Sequence, residues 1–172
     1  MANDNDALSG YTDWKRWQAD QFGRCSRGES RYFAWHLAHC HPHPIKSALE
    51  LGFGNGNFLG HARGQGIQVA GIETQAALRD RAQAAGIESY ASVDALSKDR
   101  RFDVIIAFDV FEHVEPMSLP QLLIQLRGHL APDGVLLCRV PNGESPFGRI
   151  FQHGDVTHVN TLGLSKFNQL AA

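Results

Sequence analysis

From residue 45 onward the chain alternates short apolar runs with segments of helical periodicity. The runs at 47–51, 68–72, 87–90, 104–108 and 135–140 are nearly uninterrupted, so they read as strands buried on both faces. Leu119, Leu122, Leu123, Leu126 and Leu130 recur at helical spacing over 118–130, and Asp133-Gly134 predicts the turn into the fifth strand. Such alternation predicts an α/β fold, a mostly parallel central sheet with crossover helices. Upstream, aromatic residues are interleaved with charges from Tyr11, Trp14 and Trp17 through Phe22 to Tyr32, Phe33 and Trp35, and predict two helices joined near 23–28. His41-Pro42-His43-Pro44 stops the second, because proline lacks an amide proton and disfavours helical geometry in the residue before it. The chain thus divides into a helical segment, 1–44, a core, 45–142, and a tail, 143–172, that begins as a loop and ends in a short helix from Ser165.

The most informative stretch, Glu50-Leu51-Gly52-Phe53-Gly54-Asn55-Gly56, leads from the first strand into a helix. Glycines there let a ligand approach the backbone. The dinucleotide fingerprint G-x-G-x-x-G requires glycine at 57 or 59, and those positions are Asn57 and Leu59, so the spacing is G-x-G-x-G. Glu50 would repel a pyrophosphate but favour an ammonium or sulfonium. Glu73, at the end of the second strand, can accept hydrogen bonds from both hydroxyls of an unphosphorylated ribose. Its plainer role is to support the start of the next helix beside Thr74.

Composition narrows the partners. The 172 residues are 43% hydrophobic and 20% charged, ordinary for one folded domain, and 16 Lys and Arg against 18 Asp and Glu leave a net charge of −2 without blocks of one sign. This predicts neither a nucleic-acid nor a membrane partner. No apolar run approaches the roughly 18–20 residues of a membrane span, and the polar start does not resemble a signal peptide, so the expected location is cytoplasmic. Three cysteines, Cys25, Cys40 and Cys138, give no disulfide framework.

Residues 45–142 resemble class I S-adenosylmethionine-dependent methyltransferases of the small-molecule branch. Glu50, Gly52, Gly54 and Gly56 look like the family's first motif, and Glu73 like its ribose-binding acid. Asp94 and Ala95 resemble the segment that meets the adenine, the acid at its amino group and the next residue through the backbone. The run from Phe102 through Asp109 to Val114 resembles the fourth-strand motif, and 126–142 the fifth strand. The resemblance implies a Rossmann-like three-layer sandwich, S-adenosylmethionine as cofactor, and a role for the helical segment 1–44 as a lid over it, to which Trp14 and Trp17 could belong. It also implies two further, antiparallel strands, for which the tail shows no pattern, so the chain reads as C-terminally short. An open sheet edge then predicts self-association, with a homodimer the simplest form.

The implied reaction is methyl transfer to oxygen or nitrogen of a small molecule or sugar. The alternatives are a non-catalytic S-adenosylmethionine-binding module and an NAD-dependent oxidoreductase. Asp109 and His113, at i and i+4, would share one helical face beside the methyl group, where either could take a proton from the acceptor. In the bland alternative, Glu112 and His113 merely cap and pack the loop. In the tail His153, Asp155 and His158 are candidate acceptor contacts. His36, His39, Cys40, His41 and His43 resemble a metal cluster in composition only, since two prolines break their spacing, and no metal ligand is assigned.

Overall fold

The computed structural model describes residues 19–171. A five-stranded sheet forms its centre: β1 (Ser47–Leu51), β2 (Gln68–Ile72), β3 (Glu88–Tyr90), β4 (Phe102–Phe108) and β5 (Leu130–Arg139). All four pairings are parallel, in the order β3-β2-β1-β4-β5. The helices are α1 (Arg27–Cys40), α2 (Asn57–Gly64), α3 (Ala76–Ala84), α4 (Leu119–Gly128), α5 (Arg149–His153) and α6 (Leu164–Ala171). Among the described residues no helix is long and apolar enough to cross a membrane.

The chain runs outward from β1 through β2 to β3, then returns to β4 on the other side of β1. That reversal leaves a crevice beyond the carboxyl ends of β1 and β4, where sheets of this kind bind ligands. The register of the two strands is pinned at their opposite ends. Asp103 Oδ2 accepts the amides of Lys46 at 2.7 Å and Ser47 at 2.9 Å, while Ser47 Oγ accepts the amide of Asp103 at 3.1 Å.

Apolar side chains cover both faces of the sheet, as the strand composition predicted. One cluster gathers Leu49, Ile72, Ile105, Phe111 and Leu126 with Leu162, Phe167 and Leu170 of the tail. The other gathers Val104, Ile106 and Phe58 with Phe33 of α1. Helix α1 begins where Ser26 and Glu29 form a reciprocal capping box and ends at His41, whose extended backbone precedes Pro42. Tyr11, Trp14 and Trp17 of the expected first helix lie outside the described residues.

Two expectations are corrected. Asp133-Gly134 is not a turn ahead of β5 but an irregularity within it: the ladder already pairs Leu130 with Phe102, then shifts register so that Val135 meets Val104. Asp133 takes a left-handed φ of 63° there, and a side chain on Gly134 would crowd the Ala131 backbone at 2.9 Å. Nor does an α-helix follow β4. Asp109 adopts φ 56° and a single 3-10 turn, Phe111–His113, takes the helix's place, so Asp109 and His113 do not share a helical face.

Candidate functional site

The loop after β1 is built on left-handed glycines, with φ of 66°, 51° and 69° at Gly52, Gly54 and Gly56. At Gly52 a second constraint applies, since a Cβ would lie 2.7 Å from a Val110 methyl group in the loop after β4. Gly56 caps α2 without a side chain, leaving that helix's first amides facing the loop.

Beyond this loop lies a cavity of about 480 Å³ whose wall includes Glu50, Gly52, Gly54, Tyr32, Phe108 and Arg139. Glu50 is 6% exposed and its Oε2 has no hydrogen-bond partner. Burial pushes its carboxyl well above the usual carboxylate range; a Leu59 backbone hydrogen bond opposes this and the charge of Glu73 adds to it. A buried acid without a full set of partners is costly unless a ligand supplies them. A ligand ammonium or sulfonium matches that need.

Glu73 is 8% exposed and stands behind the wall. Its Oε2 accepts the Gly54 amide at 3.1 Å, and its Oε1 accepts the Gln75 amide at 3.1 Å and the Thr74 hydroxyl at 3.2 Å. The acid therefore braces the glycine loop and supports the start of α3, as its plainer role required; two carboxylate oxygens retain capacity for further donors. Asp94 is exposed and accepts Gln125 Nε2 at 2.7 Å, and Ala95 is exposed beside it.

Asp109 is gripped by Arg139, with Nε to Oδ1 at 3.0 Å and Nη2 to Oδ2 at 2.5 Å. The same guanidinium lies 5.4 Å from the centre of the Tyr32 ring and 5.1 Å from that of Phe108. Asp109 thus meets the cavity through Arg139. Tyr32, Phe108 and Arg139 are not singled out by the sequence, which reads α1 only as part of a helical segment that could fold over the cofactor, because nothing local says which of its residues meet the ends of β4 and β5. The capping pair Ser26-x-x-Glu29 was a readable signal for where that helix starts.

His113 lies apart from the cavity wall and against the tail. Its Nδ1 is 3.1 Å from the Thr157 carbonyl and 3.0 Å from Thr157 Oγ1, and its ring meets that of His158 at 4.7 Å. Between Asp109 and His113 sits Glu112, 1% exposed, with neither carboxylate oxygen partnered. Burial raises its carboxyl to about 7, with Asp109 adding to the rise and His158 and Arg139 opposing it. The tail reaches this point because the Glu112 carbonyl accepts the amides of both Val159 and Asn160, at 2.9 and 3.0 Å. Of the tail candidates, His158 and Asp155 lie here, whereas His153 is exposed.

The residues 36–43 do not converge. His39 Nδ1 bonds the Trp35 carbonyl and its ring stacks on Trp35, His36 packs against Tyr32, and His41 Nδ1 bonds the His43 carbonyl.

Comparison with known proteins gives a consistent picture. A family model described as a methyltransferase domain matches residues 14–171. The ubiquinone biosynthesis O-methyltransferases of Rickettsia felis and Rickettsia typhi are each 27% identical to this chain, over 101 and 104 residues, which is 55% of this chain and 41% and 40% of theirs. The chain spans less than half the length of these curated relatives. Among solved structures, a SAM dependent methyltransferase from Archaeoglobus fulgidus aligns with a TM-score of 0.71 at 17% identity, covering 95% of this chain and 72% of that one. The plantazolicin methyltransferase BpumL, in complex with SAH and a pentazolic desmethylPZN analog, aligns at 0.67 and 19% identity, covering 98% and 68%. At such identities the likeness is one of fold.

Proposed function

This chain belongs to the methyltransferase domain family, and from that footing we propose that it binds S-adenosylmethionine and transfers the methyl group to an oxygen or nitrogen of a small molecule. The observation that carries this reading is Glu50, a buried acid with an unpartnered oxygen in the wall of a cavity floored by a left-handed glycine loop. When bound, S-adenosylmethionine supplies a methyl group already activated by its sulfonium. Glu50 supplies the counter-charge for the cofactor's amino-acid end, and the glycines let the cofactor lie against the backbone. Glu73 accepts from the ribose while keeping the loop in place, and Asp94 with Ala95 receives the adenine. Asp109 holds Arg139 at the cavity wall, and His113 stands toward the acceptor.

The protein's main contribution is alignment of donor and acceptor, and a proton acceptor matters only for an acceptor that must lose a proton. The two relatives named as O-methyltransferases favour oxygen as the first acceptor class to try. Strand β5 is a sheet edge among the described residues, which supports self-association through it. Three free thiols suit the reducing cytoplasm.

Side-by-side isothermal titration with S-adenosylmethionine, S-adenosylhomocysteine and NAD tests the reading. Saturable binding of the first two without NAD is expected. Binding of NAD in their place would overturn it.

A further inference from the structure

A second cavity, of about 440 Å³, opens at the other end of β1, away from Glu50. Its wall is made by α1 through Leu37 and Ala38, by the loop 41–45, by His61 of α2 and by Ile67 ahead of β2, and it shares no residue with the wall of the cofactor cavity. His61 is 8% exposed and its Nε2 has no hydrogen-bond partner, and His41 Nε2 is likewise buried and unpartnered. A buried polar nitrogen without a partner costs free energy, and two of them in one cavity wall mark a place for a ligand. We propose that this cavity binds a small uncharged phenol, whose ring lies among the apolar side chains and whose hydroxyl hydrogen-bonds to the His41 and His61 imidazoles.

The contacts of the other ring nitrogens set what each imidazole offers. His41 Nδ1 lies 2.8 Å from the His43 carbonyl, and the His43 amide is the longer contact at 3.2 Å. A carbonyl only accepts, so Nδ1 carries the proton and Nε2 of the neutral ring keeps a lone pair that needs a donor. His61 Nδ1 meets the Ser30 hydroxyl at 3.2 Å, which can give or take a proton, so His61 Nε2 can serve in either sense. Burial lowers the His61 pKa below the usual imidazole value and keeps the ring neutral. A hydroxyl gives one hydrogen bond and takes others, and so suits the two rings together.

The rest of the wall selects against charge. Among the described residues no Asp, Glu, Lys or Arg contributes to it, which leaves nothing to balance an ionic ligand. Leu37, Ile45 and Ile67 supply apolar surface, and Pro42 and Pro44 add ring side chains on which a planar ring packs with more contact than a flexible chain of equal volume. A rigid ring also loses less freedom on binding. The two cavities follow one another along the same helices: Tyr32 and Asn57 face the first, Leu37 and His61 the second. The phenol is thus a second ligand, separate from any methyl acceptor, and its site stands whether or not the methyl-transfer reading holds.

The test titrates the full chain, without S-adenosylmethionine, with 2-naphthol, with 2-methoxynaphthalene, which has the same rings and no donor, and with the charged 2-naphthoate. Calorimetry reads the affinities, and nitrogen-correlated NMR of the imidazoles reads which histidines respond. Saturable binding of 2-naphthol is expected, with the His41 and His61 signals moving together and the other two probes about 10-fold weaker or more, as the loss of a buried hydrogen bond requires. His61 packs against Phe33, so the mutational arm uses Ala38→Phe, an exposed position of α1 where a ring fills the cavity, and His41→Ala. Each should weaken 2-naphthol by about 10-fold or more, with circular dichroism melts separating lost binding from lost folding. No saturable binding, equal binding of 2-methoxynaphthalene, or undiminished binding in a folded Ala38→Phe chain would overturn the site. So would a response confined to Tyr32 and Phe108, which would place the phenol in the cofactor cavity instead.

Discussion

Adjacent strands β1 and β4 each lead toward a buried glutamate with unpartnered oxygen, and the two acids are surrounded differently. Glu50 lies on β1 itself and faces a cavity made by the loop that follows it within a few residues. Glu112 lies in the 3-10 turn after β4 and is closed over by a tail more than forty residues downstream. The first arrangement has a local base, one strand, one loop and one helix, to which Tyr32, Phe108 and Arg139 add the rest of the wall. The second depends on a long-range docking. A local arrangement can be read from spacing, whereas a long-range one emerges only when the fold brings distant residues together.

The largest effect should come from breaking the local site at its charge. Glu50→Gln is expected to weaken S-adenosylmethionine binding by about 2–5 kcal/mol, the range for removing one partner of a buried charged pair; calorimetry measures it. The same change should stabilise the unliganded chain. Because burial raises the Glu50 carboxyl above its unfolded value, folding favours the protonated form, and that contribution is present at low pH and lost as pH rises through the folded value. The advantage of Glu50→Gln should therefore widen from pH 5 to pH 8 in urea titrations. A constant difference would show that Glu50 is not the group responsible.

Next, Glu73→Ala should reduce cofactor affinity by about 1.5–3 kcal/mol, the range for hydrogen bonds to a charged group. The structure adds that it should also loosen the glycine loop, since the Gly54 and Gln75 amides lose their acceptor. Faster hydrogen exchange at those two amides would sharpen the comparison, and unchanged affinity would break the ribose assignment.

A smaller loss, about 1–3 kcal/mol of stability from overpacking, is expected for Gly60→Ala. Alanine would favour the helix by about 1 kcal/mol, but its Cβ would stand 1.9 Å from the Gly23 carbonyl oxygen, so the clash decides the sign. The smallest effect belongs to the β4 side. Asp109 and Arg139 are both about half exposed, and Arg139→Gln should cost only about 0.2–1 kcal/mol of stability. A far larger cost would mean that the stacking of Arg139 on Tyr32 and Phe108 dominates the pair.

The sheet was legible because its strands are apolar nearly throughout, and the glycine loop because its spacing excludes one ligand class and admits another. The 3-10 turn after β4 was not legible. Asp109 and His113 sit at helical spacing, and only the left-handed backbone at Asp109, held by Arg139 from the next strand, diverts the chain. The irregularity at Asp133-Gly134 was misread for a similar reason, since a turn dipeptide cannot report that the neighbouring strand already pairs with Leu130. Glu112, His113 and His158 were each visible, but their convergence waits on the fold of 155–160.

One carbonyl, that of Glu112, receives two successive amides, from Val159 and Asn160. Two bonds on one oxygen behave as a latch with a single catch: displacing that carbonyl frees both donors together. Opening at this place should therefore be cooperative, with the whole 155–160 stretch leaving as one unit. In the closed form Glu112 has its lid and His158 its position, and in the open form both are lost at once. The docked 155–160 stretch is in this sense a kinetic device, whose opening rate sets how long Glu112 stays covered.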